Sequence, residues 1–151
     1  QSVEGVRKIP ASEFYFGPFM NALEPNELVT SINFPDWPAG HSTLFYELSQ
    51  RPGDFALAGL VGALAIESGK VARAGIAWFA MGPTPIRAAQ AEQALLGQSV
   101  DQIDPLVIAE LAVADTAPFD DNSVSAEYRR TVGTRIFARA LRELLEAQEA
   151  K

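Results

Sequence analysis

Apolar and polar residues alternate with different rhythms in the two halves of the chain. In the first half the spacing is short. "ELVTSINFP" (residues 27–35) sets Leu28, Thr30, Ile32 and Phe34 against Val29, Ser31 and Asn33. Both sets contain apolar side chains, so the segment reads as a strand at least partly buried on both faces, with Leu28 and Val29 as core. "EGVRKIP" (4–10) reads as a short strand or hairpin arm, and "PASEFYFGPF" (10–19) as an aromatic-rich loop. "DWPAGH" breaks the pattern, and "STLFYELSQ" (42–50) resumes it as another strand. Two long apolar stretches follow, 55–66 and 71–81, flanking "ESGK" with Gly69 at its tight point, which is a β-hairpin signature. Gly59, Gly62, Ala63, Ala65 and Gly75 lower strand propensity there. They make sense if something packs very close to this sheet.

After "GPTP" the period lengthens. "IRAAQAEQALLG" (86–97) is rich in helix formers and stops at Gly97. "DPLVIAELAVA" (104–114) carries Asp104 as N-cap and Pro105 at the first helical position. "PFDDNSV" is a loop. From Ser125, a candidate cap, the chain reads as its longest helix. Tyr128, Val132, Ile136, Phe137, Ala140, Leu141, Leu144 and Leu145 recur at three- and four-residue steps on one face. Strands followed by about three helices define an α+β fold. Its core is a small antiparallel sheet, the hairpin 55–66/71–81 plus a neighbouring strand. The change in composition near "PAGHS" places a boundary at 38–48, dividing residues 1–42 from 43–151.

Composition narrows the chemistry. With 48% hydrophobic and 21% charged residues, the 151-residue chain is globular. A net charge of -7 disfavours nucleic acid and anionic membranes as partners. With no cysteine, this chain holds no disulfide, thiolate nucleophile or Fe–S cluster. The single histidine, His41, lies in a loop without clustered carboxylates, so no metal site is expected. No apolar run reaches the roughly 20 residues of a membrane span. No basic segment followed by an apolar one opens the chain, so the expected location is the cytoplasm, without membrane insertion.

Catalytic motifs are missing as well. There is no phosphate-binding glycine loop and no nucleophile elbow. Asp120 and Asp121, just before the long helix, read as dipole partners and loop solvators. Arg129, Arg130, Arg135, Arg139 and Arg142 read as a solvated face opposite the apolar stripe, balanced by Glu143 and Glu146. No catalytic residue is assigned.

"RPGDFALAGLVGALAI…GKVARAGIAWFAMGPTPIRA" resembles the flavoprotein (medium) subunit of the molybdenum hydroxylases, the group of carbon monoxide dehydrogenase and xanthine dehydrogenase. "IPASEFYFGPFMNALEPNELVTSINFP" resembles the end of their FAD-binding domain, and "SAEYRRTVGTRIFARAL" the closing helix of their C-terminal domain. The resemblance covers essentially the whole chain, in order. It implies residues 1–42 as the C-terminal part of an FAD-binding domain and 43–151 as the flavoprotein C-terminal domain. The two glycine-rich loops that hold the FAD pyrophosphate in the family are not in this sequence. The chain therefore resembles the C-terminal half of a medium subunit, whether as a fragment, a cleavage product or the product of a split gene.

The resemblance also implies a site. Phe55 would cover or edge one face of the isoalloxazine ring. Asp54 would tune polarity beside it and fix the turn. Leu28 or Val29 matches an aliphatic contact to the flavin, and Arg51 the basic residue before the turn. Glu47 falls where many relatives carry a lysine that reaches the FAD, so the charge is inverted here. Read from the residues alone, Asp54 is equally a turn cap and Phe55 ordinary core. The implied function is electron transfer: FAD, shared with an N-terminal half, receives electrons from [2Fe-2S] clusters in a small subunit. Those clusters are fed by the molybdenum cofactor of a large subunit, and an external acceptor takes the electrons onward. The alternative is an interaction module of the same fold without flavin. An independent enzyme is the least supported reading.

Overall fold

Ser68 and Gly69, both in the left-handed region (φ 51° and 74°), close the central hairpin as a two-residue turn in the computed structural model, which describes residues 1–149. Such a turn matches the right-handed twist of its strands. Its arms are β4 (Ala56–Glu67) and β5 (Lys70–Phe79). Further strands are β3 (Ser42–Ser49) and β6 (Ile86–Arg87), giving an antiparallel sheet in the order β3-β4-β5-β6. Three helices follow: α1 (Ala89–Leu95), α2 (Pro105–Ala114) and α3 (Ala126–Glu149). The α+β reading holds.

The register separates two faces. Leu44 pairs with Gly62, Tyr46 with Leu60, and Leu60 with Trp78. These residues face the helices, where Leu60, Leu64, Ile76 and Trp78 join Ile108, Phe137, Leu141 and Leu144 in one core. Trp78 fixes sheet to helix layer: its ring lies 5.7 Å from that of Phe137, and its indole N–H donates to Ala112 C=O at 2.9 Å. The opposite face carries Phe45 and Phe79, stacked 6.0 Å apart. The Phe79 ring lies directly over Gly59, where any side chain would overlap it. The expected close approach to the small residues is met here by the chain's own aromatic ring.

Residues 86–87 depart from the expected helix. They pair with β5 through Ile86–Trp78 and Arg87–Ala77, because the open edge of β5 offers ladder bonds. Where β6 ends, the ladder is continued by a side chain. Glu92, 3% exposed, accepts from Ile76 N–H at 2.8 Å and from Arg87 Nε at 2.6 Å. Asp104 caps α2 as expected, accepting from Leu106 N–H at 2.8 Å. Ser125 Oγ accepts from Tyr128 N–H at 3.1 Å, and Asp120 accepts from Ala126 N–H at 2.6 Å. On α3 the stripe from Ile136 to Leu145 is buried, whereas Tyr128 at its start is exposed.

Residues Gln1–Trp37 form a separate compact unit. Here "PASEFYFGPF" is not a plain loop. It contains a 3-10 turn, Ala11–Glu13, and with Met20–Asn21 it builds a small hairpin of β1 (Tyr15–Gly17) and β2 (Met20–Asn21). The expected arm at 4–10 reduces to a Ser2–Gly5 bridge. The expected strand at 27–35 does not form, and Leu28 and Val29 are 73% and 51% exposed rather than core. Gln1 and Leu28 exchange backbone bonds at 2.8 and 3.0 Å, but beyond that no strand pairs with this segment. Without a neighbour to satisfy its backbone, a strand has nothing to hold it extended. The unit is tied by Arg7, whose guanidinium grips Glu27 at 2.5 Å and donates to Ala22 C=O at 2.6 Å.

Candidate functional site

The connection from β3 to β4 is built by its backbone. Pro52 fixes φ at the second position of the turn, and Gly53 takes φ 92° at the third, a combination that defines a type II turn. Asp54 N–H closes it onto Arg51 C=O at 3.0 Å, and Ser49 Oγ donates to the same carbonyl at 2.9 Å. Among the described residues no donor bonds the Asp54 carboxylate, so the side chain takes no part in closing the turn. Asp54 thus closes the turn with its backbone N–H and not with its side chain.

Phe55 follows at 98% exposure, with no ring partner. It is not core in this chain. Arg51 and Asp54 are exposed in the same turn, and Glu47 is exposed on β3, opposite Gly59. Four of the expected site residues thus lie on one segment, 47–55, with side chains directed to solvent. Leu28 and Val29 belong to the other unit.

The chemistry of this segment fits a flavin ring. Phe55 offers a flat apolar face without cover, Asp54 an acceptor for a ring N–H, and Arg51 a donor for ring carbonyl oxygens. Among the described residues no group of three or more His, Cys, Asp or Glu could hold a metal ion. None of the helices described is long and apolar enough to cross a membrane. A groove between β3 and α3, lined by His41, Ser42, Leu44, Tyr46, Glu143 and Gln148 among others, lies apart from the turn.

The residue that sequence reasoning misplaced is Arg129. It is 5% exposed, not part of a solvated face. Its guanidinium donates to Leu57 C=O and to Ala80 C=O, and pairs with Asp121. Backbone N–H groups of Val124 and Ser123, ahead of Arg129, hold the Asp121 carboxyl below the usual carboxylate range. The signal was legible: Arg129 stands four, seven and eight residues before Gly133, Ile136 and Phe137, in line with the buried stripe. Arg130, Arg135 and Arg142 are solvated as expected, and Arg139 pairs with Glu143 at 2.7 Å.

Comparison with known proteins identifies the fold and the family. The model of the CO dehydrogenase flavoprotein C-terminal domain matches residues 44–144. The chain is 34% identical to the 6-hydroxypseudooxynicotine dehydrogenase complex subunit alpha of Paenarthrobacter nicotinovorans, over 99% of this chain and 52% of that protein. It is also 34% identical to the carbon monoxide dehydrogenase medium chain of Afipia carboxidovorans, over 98% of this chain and 50% of that one. The solved carbon monoxide dehydrogenase of Hydrogenophaga pseudoflava superposes with a TM-score of 0.87 at 32% identity, covering 94% of this chain and 50% of its counterpart. The chain thus spans about half the length of the relatives it matches. A family match over residues 44–144, more than half of the chain, means that this chain belongs to the CO dehydrogenase flavoprotein C-terminal domain family.

Proposed function

We propose that this chain supplies the ring-facing part of a flavin site in the medium subunit of a molybdenum hydroxylase. The observation that carries the reading is Phe55, a fully exposed aromatic following a type II turn, beside a carboxylate with no hydrogen-bond partner among the described residues. A large apolar ring left in water has no folding role, and it suits a flat partner. The remaining half of the site, including the phosphate contacts, belongs to an N-terminal half of the kind its relatives carry.

A bound flavin supplies one- and two-electron transfer between iron–sulfur centres and an external acceptor. The chain's own residues do the rest. Phe55 excludes water from one ring face. Asp54 would offer a ring N–H an acceptor, and a carboxylate there would disfavour negative charge on the ring and so lower its potential. Arg51 provides the opposing positive charge in the same turn. Glu47, where a lysine would add a second cation, leaves the segment net negative. The molybdenum cofactor and the [2Fe-2S] clusters reside in large and small partner subunits, consistent with a chain without cysteine.

The test is a visible absorption spectrum of the chain purified alone and then co-expressed with an N-terminal FAD-domain half. Flavin bands only in the co-expressed sample are expected, because ring contacts by themselves must offset the whole ordering cost of the ligand. Absence of flavin from both samples refutes the proposal and leaves a docking module of the same fold.

A further inference from the structure

The turn that carries Asp54 and Phe55 joins the sheet through a single pair, Ser49–Ala56, set off from the rest of the β3–β4 ladder by a bulge. The turn bond and the Ser49 bond both converge on Arg51, on the β3 side. On the β4 side Ala56 pairs with Ser49, and the next residue, Leu57, is left without a ladder partner by the bulge there; its carbonyl receives the Arg129 guanidinium. The same nitrogen reaches Ala80 C=O at 3.2 Å, just beyond β5, where Ala80 holds a left-handed φ of 58°. A non-glycine residue in that region is strained unless its surroundings impose it. The guanidinium is held in turn by Asp121 and lies 5.7 Å from the Phe119 ring.

We propose that Arg129 is a positioning residue for the flavin-facing turn: by clamping the carbonyls of Leu57 and Ala80 at the open end of the hairpin, it sets the direction in which Phe55 and Asp54 point. The inference rests on the flavin reading above. Stability alone is a poor reason for this arginine. Its Nε is buried with no hydrogen-bond partner, a cost that an apolar side chain would avoid. A buried ion pair is often no more stable than well-packed apolar residues of similar volume. What the apolar choice lacks is a planar fork with two nitrogens, one donating to the two strand ends and the other held by Asp121.

The experiment uses the complete medium subunit reconstituted with FAD. Arg129→Met, Arg129→Lys, Phe55→Ala and a core control, Leu141→Ala, are compared with the parent. Each is studied under conditions where it is folded, by FAD fluorescence titration, visible spectrum and flavin midpoint potential. Arg129→Met is expected to weaken FAD binding by about tenfold and to shift the potential and the visible bands. Arg129→Lys, which keeps the charge but not the fork, is expected to fall between it and the parent. Leu141→Ala is expected to lower the unfolding midpoint without moving the flavin signals. Parent-like affinity, potential and spectrum in both Arg129 variants, with Phe55→Ala impaired, would overturn the proposal and leave Arg129 as a structural pin. If Phe55→Ala is itself parent-like, the turn does not face a flavin and both readings fall. Should Arg129→Met not fold, Arg129→Lys decides the question by the same comparison.

Discussion

Phe55→Ala separates folding from function sharply, because the two expectations differ in size. Within this chain the side chain is 98% exposed and touches no other ring. Removing it takes away no buried area, so stability should change by no more than about 0.5 kcal/mol, the ordinary range for surface substitutions. Against a flat ring system the same side chain is worth more. Stacking of an aromatic residue on a nucleobase contributes about 1–3 kcal/mol per ring. Applied to the isoalloxazine, that range corresponds to a rise in FAD dissociation constant of roughly 5- to 150-fold. The assay pairs a urea unfolding curve of the variant subunit with a fluorescence titration of FAD. Phe55→Tyr keeps the ring and should stay close to the parent. An unchanged FAD affinity in Phe55→Ala refutes the stacking argument. A loss of 2 kcal/mol or more in unfolding free energy would refute the premise beneath it, since an exposed ring cannot cost that much.

Two further predictions concern the scaffold. Glu92→Ala leaves the buried Ile76 N–H without an acceptor, at about 1–3 kcal/mol, whereas Glu92→Gln keeps that acceptor, loses only the charge facing the 75% exposed Arg87, and should cost under about 1 kcal/mol. Equal losses for the two variants in urea unfolding would show that the ion pair, not the strand cap, is what matters. In the first unit, the hydrogen bond from Arg7 lowers the Glu27 carboxyl from 4.5 to about 2. A depressed carboxylate stabilises above its unfolded value and loses that contribution as pH falls through its folded value. The stability gap between parent and Glu27→Gln should therefore be full above pH 4.5 and close towards pH 2, as read from unfolding midpoints across that window. A gap independent of pH would mean that the charge plays no part.

What the sequence revealed, and what it hid, follows from where each structural cause resides. The hairpin was legible because its turn residues and its apolar arms are neighbours in the chain. The cap of α2 was legible for the same reason, since Asp104 and Leu106 stand two residues apart. Strand β6 was hidden because its cause is the edge of β5, and "IRAAQ" has no strand signal of its own. The burial of Arg129 could be read from its helical spacing, but its role was hidden because its three partners, Leu57, Ala80 and Asp121, lie 72, 49 and 8 residues away. The segment at 27–35 failed in the opposite sense: its pattern promises a strand, but a pattern records only which residues a strand would bury. Whether it forms depends on a second backbone to pair with. The same reasoning bears on Phe55. A sequence cannot tell an aromatic that belongs to a core from one that waits for a partner, since both are simply apolar. The fold decides between them by leaving the Phe55 ring uncovered while it seals Trp78 and Phe137 beneath the helices.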